Sequence, residues 1–338
     1  MICAILNKRF RMKRVLAAMR SRHHWFQNLK KLGVRARVLT LSMCLLLGLT
    51  GCSLEWTEVL PDYSQDNPAL NVSSDPGGGR LRVIFLDVGQ GASQLLISPS
   101  GSTMLIDGGN NDQEQVMLDY LQQYGVDRVD VMIGTHPDAD HIGGLDRVID
   151  HYDVGSIYMP RIQANTKTFE SLLESIQQNG LKVKTAKAGV IPDWDGEVQV
   201  QMLAPVVVSD DSNNMSAVLK VTYGEVSFLL TGDAERESEK LMLESGEDLQ
   251  ADVLLVGHHG SKSSTSAAFL EQVHPQVAVI QVGENSYGHP KEEILNRLTK
   301  SRVKVYRNDV QGTIEVTTNG EEIEVTTNGE EIEVITGR

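Results

Sequence analysis

Two histidines and two aspartates lie within six residues of this chain: His136, Asp138, Asp140 and His141. They follow the apolar run Val131–Ile133, which is typical of a buried strand, and precede a Gly-Gly pair that predicts a turn into a helix. So many imidazoles and carboxylates at one strand end would be electrostatically unfavourable without a cation. Imidazole nitrogens and carboxylate oxygens bind divalent ions, so the cluster predicts a metal site without thiolate ligands.

The body of the chain alternates short β-branched runs with stretches of helical periodicity. Strands are predicted at Leu81–Leu86, Gln94–Ser98, Thr103–Ile106, Val131–Thr135, Val198–Leu203, Ala217–Tyr223, Val226–Thr231, Val253–Val256, Val277–Val282 and Val303–Tyr306. Helices are predicted at Gln113–Tyr124, Gly143–Tyr152, Phe169–Gln178, Glu235–Glu244, Ser266–Val273 and Glu292–Thr299. A hairpin-rich opening followed by mixed alternation favours an α/β fold of two sheets with helices on their outer faces.

The N-terminal segment has the pattern of an export signal. Residues 1–51 hold eleven Lys and Arg and no acidic residue, and the apolar stretch Val38–Leu49 has the length of a signal-peptide core. Leu49-Thr50-Gly51-Cys52 resembles the bacterial lipobox. We therefore predict a lipoprotein signal peptide over 1–51 and a lipidated Cys52 that anchors the exported protein to the outer face of the cytoplasmic membrane or cell envelope. A short buried helix with an incidental cysteine is the alternative.

Composition divides the rest of the chain. Residues 52–80 are rich in Ser, Asp, Asn, Pro and Gly and predict a flexible tether, so the globular body is predicted at 81–311. Near the end, Ile314–Glu322 reads IEVTTNGEE and Ile323–Glu331 repeats it. Each unit alternates apolar and polar residues around Asn-Gly, a type I′ turn signal, so 312–338 are predicted as repeated β-hairpins.

Five further polar motifs accompany the metal cluster. They are FLDVGQG (85–91), LIDGG (105–109), LLTGD (229–233), GHHGSKSS (257–264) and SYGHP (286–290). In this order, over about residues 82–306, they resemble the metallo-β-lactamase superfamily. The combination closely resembles the extracellular hydrolase domain of the DNA-uptake channel protein ComEC and its free-standing relatives, and phosphorylcholine esterases share the layout. The resemblance implies a four-layer αββα fold with two mixed sheets sandwiched between helices.

The resemblance also implies two divalent metal ions, zinc or manganese. His136 and Asp138 would hold one ion, Asp140 and His141 the other, and Asp233 would bridge them. One of the adjacent residues His258 and His259 would complete the second site.

This sequence departs from the family pattern at several positions. Asp138 replaces the usual second histidine, and Ala92 stands where relatives usually have Asp. Between the first motif and Asp233 only His151 occurs, on a helix where we expect it to face away, and the matching region reads Asn213-Asn214-Met215-Ser216. Oxygen ligands in place of imidazoles make manganese plausible beside zinc.

Two adjacent cations favour hydrolysis of phosphodiesters. Catalytic roles are predicted for Asp140, which would orient the attacking water, for His259 at the second metal site, and for His289, which would bind phosphate or protonate the leaving group. Substrate-binding roles are predicted for Asn214, Ser216, Ser261 and Tyr287. The alternatives are a polar turn for Asn214 and Ser216, a helix N-cap for Ser261, and structural contacts for Tyr287 and His289.

Charge bears on the substrate. Residues 52–338 carry 20 basic and 45 acidic residues, whereas nucleic-acid binders normally show a basic patch. One basic cluster follows SYGHP: Lys291, Arg297, Lys300, Arg302, Lys304 and Arg307. It could line a groove, and a solvated helix face is the alternative reading.

The sequence therefore predicts a metal-dependent phosphodiesterase or nuclease acting outside the cytoplasmic membrane. DNA is one candidate substrate, and the DNA-uptake machinery is a candidate partner. The alternatives are a phosphorylcholine-esterase-like hydrolase of a cell-envelope polymer or small phosphodiester, a β-lactam or lactone hydrolase, and a non-catalytic binding lipoprotein.

Overall fold

The computed structural model describes residues 78–328 and 330–336. The predicted signal peptide 1–51, Cys52 and the tether up to residue 77 lie outside the described residues. Within the described ranges, no helix has both the length and the apolar composition needed to cross a bilayer.

The described residues form fifteen strands and eight α-helices. The strands are β1 (Leu81–Phe85), β2 (Gln94–Ile97), β3 (Thr103–Ile106), β4 (Arg128–Ile133), β5 (Asp153–Met159), β6 (Val183–Thr185), β7 (Gln199–Ala204), β8 (Val218–Tyr223), β9 (Val226–Leu230), β10 (Val253–Leu255), β11 (Val277–Ile280), β12 (Lys304–Arg307), β13 (Ile314–Thr318), β14 (Glu322–Thr327) and β15 (Glu330–Thr336). The helices are α1 (Glu114–Gln123), α2 (Ala139–Ile142), α3 (Leu145–His151), α4 (Lys167–Gln178), α5 (Arg236–Ser245), α6 (Ala267–Val273), α7 (Glu292–Lys300) and α8 (Asn308–Gln311). Every predicted strand and helix is present, and β5, β6, α2 and α8 were not predicted.

The strands form two mixed sheets. One has nine strands in the order β15-β14-β13-β1-β2-β3-β4-β5-β6, and the other has six in the order β12-β11-β10-β9-β8-β7. In the first sheet the pairs from β3 to β6 are parallel and the other pairs are antiparallel. In the second sheet β9 to β12 are parallel, and β7 to β9 are antiparallel.

A central apolar core lies between the two sheets. Val131 and Ile133 of β4 belong to it together with Phe228 of β9. Met132 belongs instead to a second core on the other face of the first sheet, shared with α1, α3 and α4. Phe269 of α6 belongs to a third core, on the outer face of the second sheet. Helices thus cover both outer faces, which confirms the predicted α/β architecture of two mixed sheets between helices.

The C-terminal repeat extends the first sheet from within the same compact unit as the body. β13 pairs with β1, where Val316 lies opposite Val83, and β14 pairs with β13, where Val325 lies opposite Val316. Ile314 and Ile323 join these three valines in the central core. The first two copies of the repeat therefore help to close the core of the fold.

The first Asn-Gly turn differs from its prediction. Thr318 pairs with Ile323, so the connection has four residues instead of two. Asn319 does not have a positive φ, as a type I′ turn requires, so this part of the prediction is wrong. The carbonyl of Gly320 accepts a 2.7 Å hydrogen bond from the Glu225 N–H, which fixes the turn against the β8–β9 connection.

The third Ile-Glu-Val copy, residues 332–334, lies out of register. Thr327 pairs with Glu330, so the second connection has only two residues, and a bulge follows at Val325/Thr326. Position 333 therefore lies opposite Val325, where an equivalent register would place Val334. A one-residue shift reverses the faces of a strand, and Val334 is 53% exposed.

Candidate metal centre

Loops from both sheets meet at the carboxyl ends of parallel strands. β3 runs parallel to β4, and β9, β10 and β11 run parallel to one another. The segments that directly follow these strands contribute Asp107, His136, Asp233, His258 and Gln281. The carboxyl ends of parallel strands share one edge of a sheet, so these segments converge although they are far apart in sequence.

Asp233 lies among four imidazoles and is 4% exposed. Its carboxylate oxygens lie 3.1 Å from Nε2 of His141, 3.6 Å from that of His258, 3.7 Å from that of His259 and 4.0 Å from that of His136. A carboxylate so surrounded is placed to contact more than one cation. The bridging role of Asp233 stays a prediction.

Among the described residues there are two groups of possible ligand atoms, and within each group all the atoms lie within 4.8 Å of one another. One contains His136, His141 and Asp233, and the other contains Asp140, His141 and His259. His141 belongs to both groups, so the grouping differs from the predicted division into a His136–Asp138 and an Asp140–His141 site. Asp138 belongs to neither group: its Oδ2 is 3.7 Å from Nε2 of His136, and its side chain is 45% exposed.

Three buried imidazole nitrogens in this cluster lack a hydrogen-bond partner: Nε2 of His136, His141 and His259. The 3.1 Å separation of His141 from Asp233 is short enough for a hydrogen bond but does not have its geometry. Buried nitrogens without partners are costly, and here all three lie within 4.0 Å of the same carboxylate. A divalent cation would satisfy them, and nitrogen with carboxylate donors fits zinc or manganese.

The buried carboxylate of Asp107 orients the imidazole of His141 directly and that of His136 through Thr135. Asp107 accepts hydrogen bonds of 2.7 Å from both the backbone N–H and the hydroxyl of Thr135, and its Oδ2 lies 2.7 Å from Nδ1 of His141. Nδ1 of His136 lies 3.1 Å from the Thr135 hydroxyl. With their Nδ1 atoms occupied, both rings present Nε2 to the centre.

His258 and His259 both point to Asp233 because the backbone turns sharply at them. Their φ angles are +50° and +53°, in the left-handed region, whereas neighbouring side chains of an extended segment point in opposite directions. Nδ1 of His259 lies 2.8 Å from the carbonyl of Gln281, and Nδ1 of His258 lies 3.0 Å from Glu235. The ligand group with Asp140 and His141 favours His259 for the second site.

The ionisable groups of the cluster are strongly coupled. Burial and the neighbouring charge of His141 lower the pKa of His136 to about 4. Burial alone would also lower the pKa of His141, but the charges of Asp233 and Asp107 outweigh it and raise that pKa well above its ordinary value. Burial opposes ionisation of Asp233 as well, yet the imidazoles hold its pKa well below the usual range. Such opposed shifts in one cluster are typical of functional sites.

Of the predicted substrate-binding residues, Ser216 lies in the cluster. Its hydroxyl accepts a 3.2 Å hydrogen bond from the Asp233 N–H and lies 3.4 Å from Nδ1 of His136. The amide oxygen of Asn214 accepts a 3.1 Å hydrogen bond from the Ser238 N–H at the start of α5. Contacts within the protein thus occupy both groups, and their substrate roles stay predictions.

Ser261 is 7% exposed, and its hydroxyl lies 2.8 Å from that of Ser263. The N-cap alternative for Ser261 is wrong, because the side chain of Ser266 caps α6 by accepting from the Phe269 N–H.

His289 and Tyr287 lie beside the cluster. The rings of His289 and His258 are 5.7 Å apart, and Tyr287 stacks on His289 at 5.7 Å. The structure thus brings both predicted residues next to the candidate ligands.

Two positions at which the sequence departs from the family pattern, Ala92 and His151, lie outside the candidate ligands. The backbone N–H of Ala92 donates a 3.0 Å hydrogen bond to the carbonyl of Asp140, and the carbonyl of Ala92 accepts a 2.9 Å hydrogen bond from the Gly109 N–H. Residue 92 therefore supports the metal loop through its backbone. His151 is exposed and bonds within its own helix to Arg147, away from the cluster as expected.

The sequence assigned no role to the residues that hold the imidazoles: Asp107, Thr135, Glu235 and Gln281. Asp107 has a sequence signal, since it ends a buried strand in LIDGG. Glu235 and Gln281 have none, because only the tertiary fold brings them to His258 and His259.

The chain is similar to known proteins over about two thirds of its length. Residues 87–284 match the model of the metallo-beta-lactamase superfamily. ComE operon protein 3 of Bacillus subtilis is 32% identical over 252 residues, which cover 69% of this chain and 32% of that protein. Competence protein ComA of Neisseria gonorrhoeae is 31% identical over 237 residues, covering 69% and 32%. Recombination protein 2 of Haemophilus influenzae is 34% identical over 242 residues, covering 70% and 28%.

The chain spans about a third of the length of these relatives. The expected resemblance to competence proteins is confirmed.

Proposed function

The chain belongs to the metallo-beta-lactamase superfamily, and we propose that this metal-dependent hydrolase cleaves phosphodiester bonds, with nucleic acid as its substrate class. The observation that carries the proposal is the pair of ligand groups that share His141 and adjoin Asp233. They offer places for two neighbouring divalent cations, zinc or manganese. When bound, such a pair supplies a nucleophile at neutral pH and neutralises charge on the phosphate oxygens.

The protein's own groups perform the remaining work. Asp233 and the imidazoles of His136, His141 and His259 would hold the cations. Asp140, whose Oδ2 lies 3.4 Å from Nε2 of His259, is placed to orient the attacking water. His289, beside His258 at the open side of the cluster, is placed to contact the leaving group.

The names of two relatives, a competence protein and a recombination protein, support nucleic acid as the substrate class. The lack of an imidazole at Asp138 and in the Asn213–Ser216 segment, where the superfamily usually has one, supports a phosphodiester over a β-lactam.

Substrate panels test the proposal. The metal-loaded protein should hydrolyse bis-p-nitrophenyl phosphate or labelled DNA and leave nitrocefin intact, and Asp140→Ala should abolish the activity. Asp119→Ala, on the exposed face of α1, is the matched control and should retain it. Cleavage of nitrocefin alone, or of no substrate by a metal-loaded sample, would refute the phosphodiesterase proposal.

We also propose that the protein is exported and anchored by lipidated Cys52, on the support of the basic segment, the apolar stretch and the lipobox-like sequence. Cells fed labelled palmitate should incorporate label into the wild-type protein and not into Cys52→Ser. Equal labelling of the two would contradict the anchor.

A further inference from the structure

An exposed aromatic pair borders the metal centre. Tyr287 is 66% exposed, although its ring stacks on His289 with an interplanar angle of 28°. His289 meets the ring of His258 edge-on, and Nε2 of His258 lies 3.6 Å from Asp233. A continuous series of rings therefore leads from solvent to the centre.

The loop that carries these rings is fixed. The side-chain amide of Asn285 donates to the carbonyls of Gly283 and His289 at 2.8 and 3.0 Å, and its oxygen accepts from the His289 N–H at 3.0 Å. The Lys291 N–H donates to the carbonyl of Gly260 at 2.9 Å, which ties the loop to the His258–His259 turn. An exposed tyrosine on so constrained a loop loses little conformational entropy when a ligand covers it.

We propose that the open face of Tyr287 is a stacking platform for a base of single-stranded nucleic acid whose neighbouring phosphate lies at the metal centre. This inference rests on the proposed phosphodiesterase function and names the form of its substrate. A base can lie on an aromatic side chain only when it is unstacked from its own strand, which a duplex does not permit without melting.

The charge beside Tyr287 distinguishes this ligand from a choline ester. The ammonium of Lys291 donates to the backbone carbonyl of Tyr287, which places a cation next to the ring. That charge would repel a quaternary ammonium group and attract the phosphate that adjoins a stacked base. Aromatic face and ammonium together match a nucleotide.

Binding measurements can isolate the stacking contribution. Fluorescein-labelled oligothymidylate and an abasic oligomer of equal length, both with hydrolysis-resistant phosphorothioate linkages, would be titrated with the manganese-loaded full chain. The two ligands carry the same charge and differ only in their bases. Tyr287→Ala should weaken binding of oligothymidylate about tenfold, the range of one base–aromatic stack. It should leave binding of the abasic oligomer unchanged, and Tyr287→Phe should bind both ligands like the wild type.

The inference fails if Tyr287→Ala binds oligothymidylate as the wild type does, or if both ligands weaken equally. It also fails if phosphorylcholine competes for the Tyr287-dependent site. Hydrolysis of bis-p-nitrophenyl phosphate without base-dependent binding would overturn the stacking role of Tyr287 and support the phosphodiesterase function. Base-dependent binding without hydrolysis of any phosphodiester would support the stacking role and overturn the phosphodiesterase function.

Discussion

The carboxylate of Asp107 lies 2.7 Å from Nδ1 of His141, and both side chains are fully buried. Thr135 occupies the same carboxylate with two further hydrogen bonds. One side chain thus accepts three donors and sets the direction of an imidazole that belongs to both ligand groups.

Replacing Asp107 by Asn should weaken metal binding and activity together. The amide offers one acceptor oxygen to three donors, so His141 loses its orienting charge, and we expect metal affinity to fall by about 10–100-fold. Metal titration of the variant checks this, with exposed Asp119→Asn as the control. Wild-type affinity in Asp107→Asn would contradict an orienting role.

Metal removal should lower thermal stability. The three Nε2 atoms without partners gain ligands only when a cation is present, so binding favours the folded state, by about 2.7 kcal/mol at a hundredfold excess over Kd. Calorimetry before and after chelation should show a lower Tm that manganese or zinc restores. The Tm of His141→Ala should not respond to metal, and a chelation-insensitive wild type would refute the site.

Metal affinity should rise with pH. Asp233 raises the pKa of His141 and His259 in the metal-free protein, despite burial that acts the other way. Protons therefore compete with the cation below these raised pKa values, and affinity tightens as pH rises until the imidazoles are neutral, by up to about tenfold per pH unit for each proton released. Calorimetric titration in two buffers of different ionisation enthalpy measures that release. Identical heats in both buffers would show that none occurs.

Gly91→Ala should disturb the metal loop from outside the ligand set. A Cβ at residue 91 would lie 2.6 Å from the backbone carbonyl oxygen of Asp140, so one of the two segments must move. We expect a loss of activity of about 100-fold, because displacements of about 1 Å at a catalytic group have that effect. Gly196→Ala is the control, because its Cβ would meet nothing within 4 Å. Equal activity of the two variants would argue against this close contact.

The three copies of Ile-Glu-Val provide an internal stability series. Val316 and Val325 are fully buried, whereas Val334 is 53% exposed. Val316→Ala and Val325→Ala should each lower the free energy of unfolding by about 1.5–3 kcal/mol, and Val334→Ala should change it by less than about 0.5 kcal/mol. Denaturant unfolding of the three variants measures this, and a uniform loss would place the third copy in the core as well.

Most of the fold could be predicted because its central strands are buried on both faces and appear as continuous β-branched runs. Strand β5 was not predicted because Gly155 interrupts its apolar pattern and because the strand follows α3 without a turn signal. β6 escaped because its three residues include two exposed ones. The Asn-Gly turn at Asn319 was mispredicted because Gly320 makes a tertiary hydrogen bond that local sequence does not encode.

The candidate ligands could be predicted because the histidines and aspartates lie close together in short motifs that follow predicted strands. The choice between His258 and His259 could not be predicted, because it depends on the left-handed backbone conformation of both residues. The sequence also could not predict that both ligand groups share His141, because this depends on where Asp233 and His259 lie around its ring.

The C-terminal repeat has an evolutionary consequence. Its strands attach beside β1, and β1, β2 and β3 separate them from β4, which carries the metal loop. Slippage during replication of so regular a coding segment would add or delete whole strands at a margin remote from that loop. Such changes beyond the first two copies, which help to close the core, would alter the length of this sheet without displacing the metal loop.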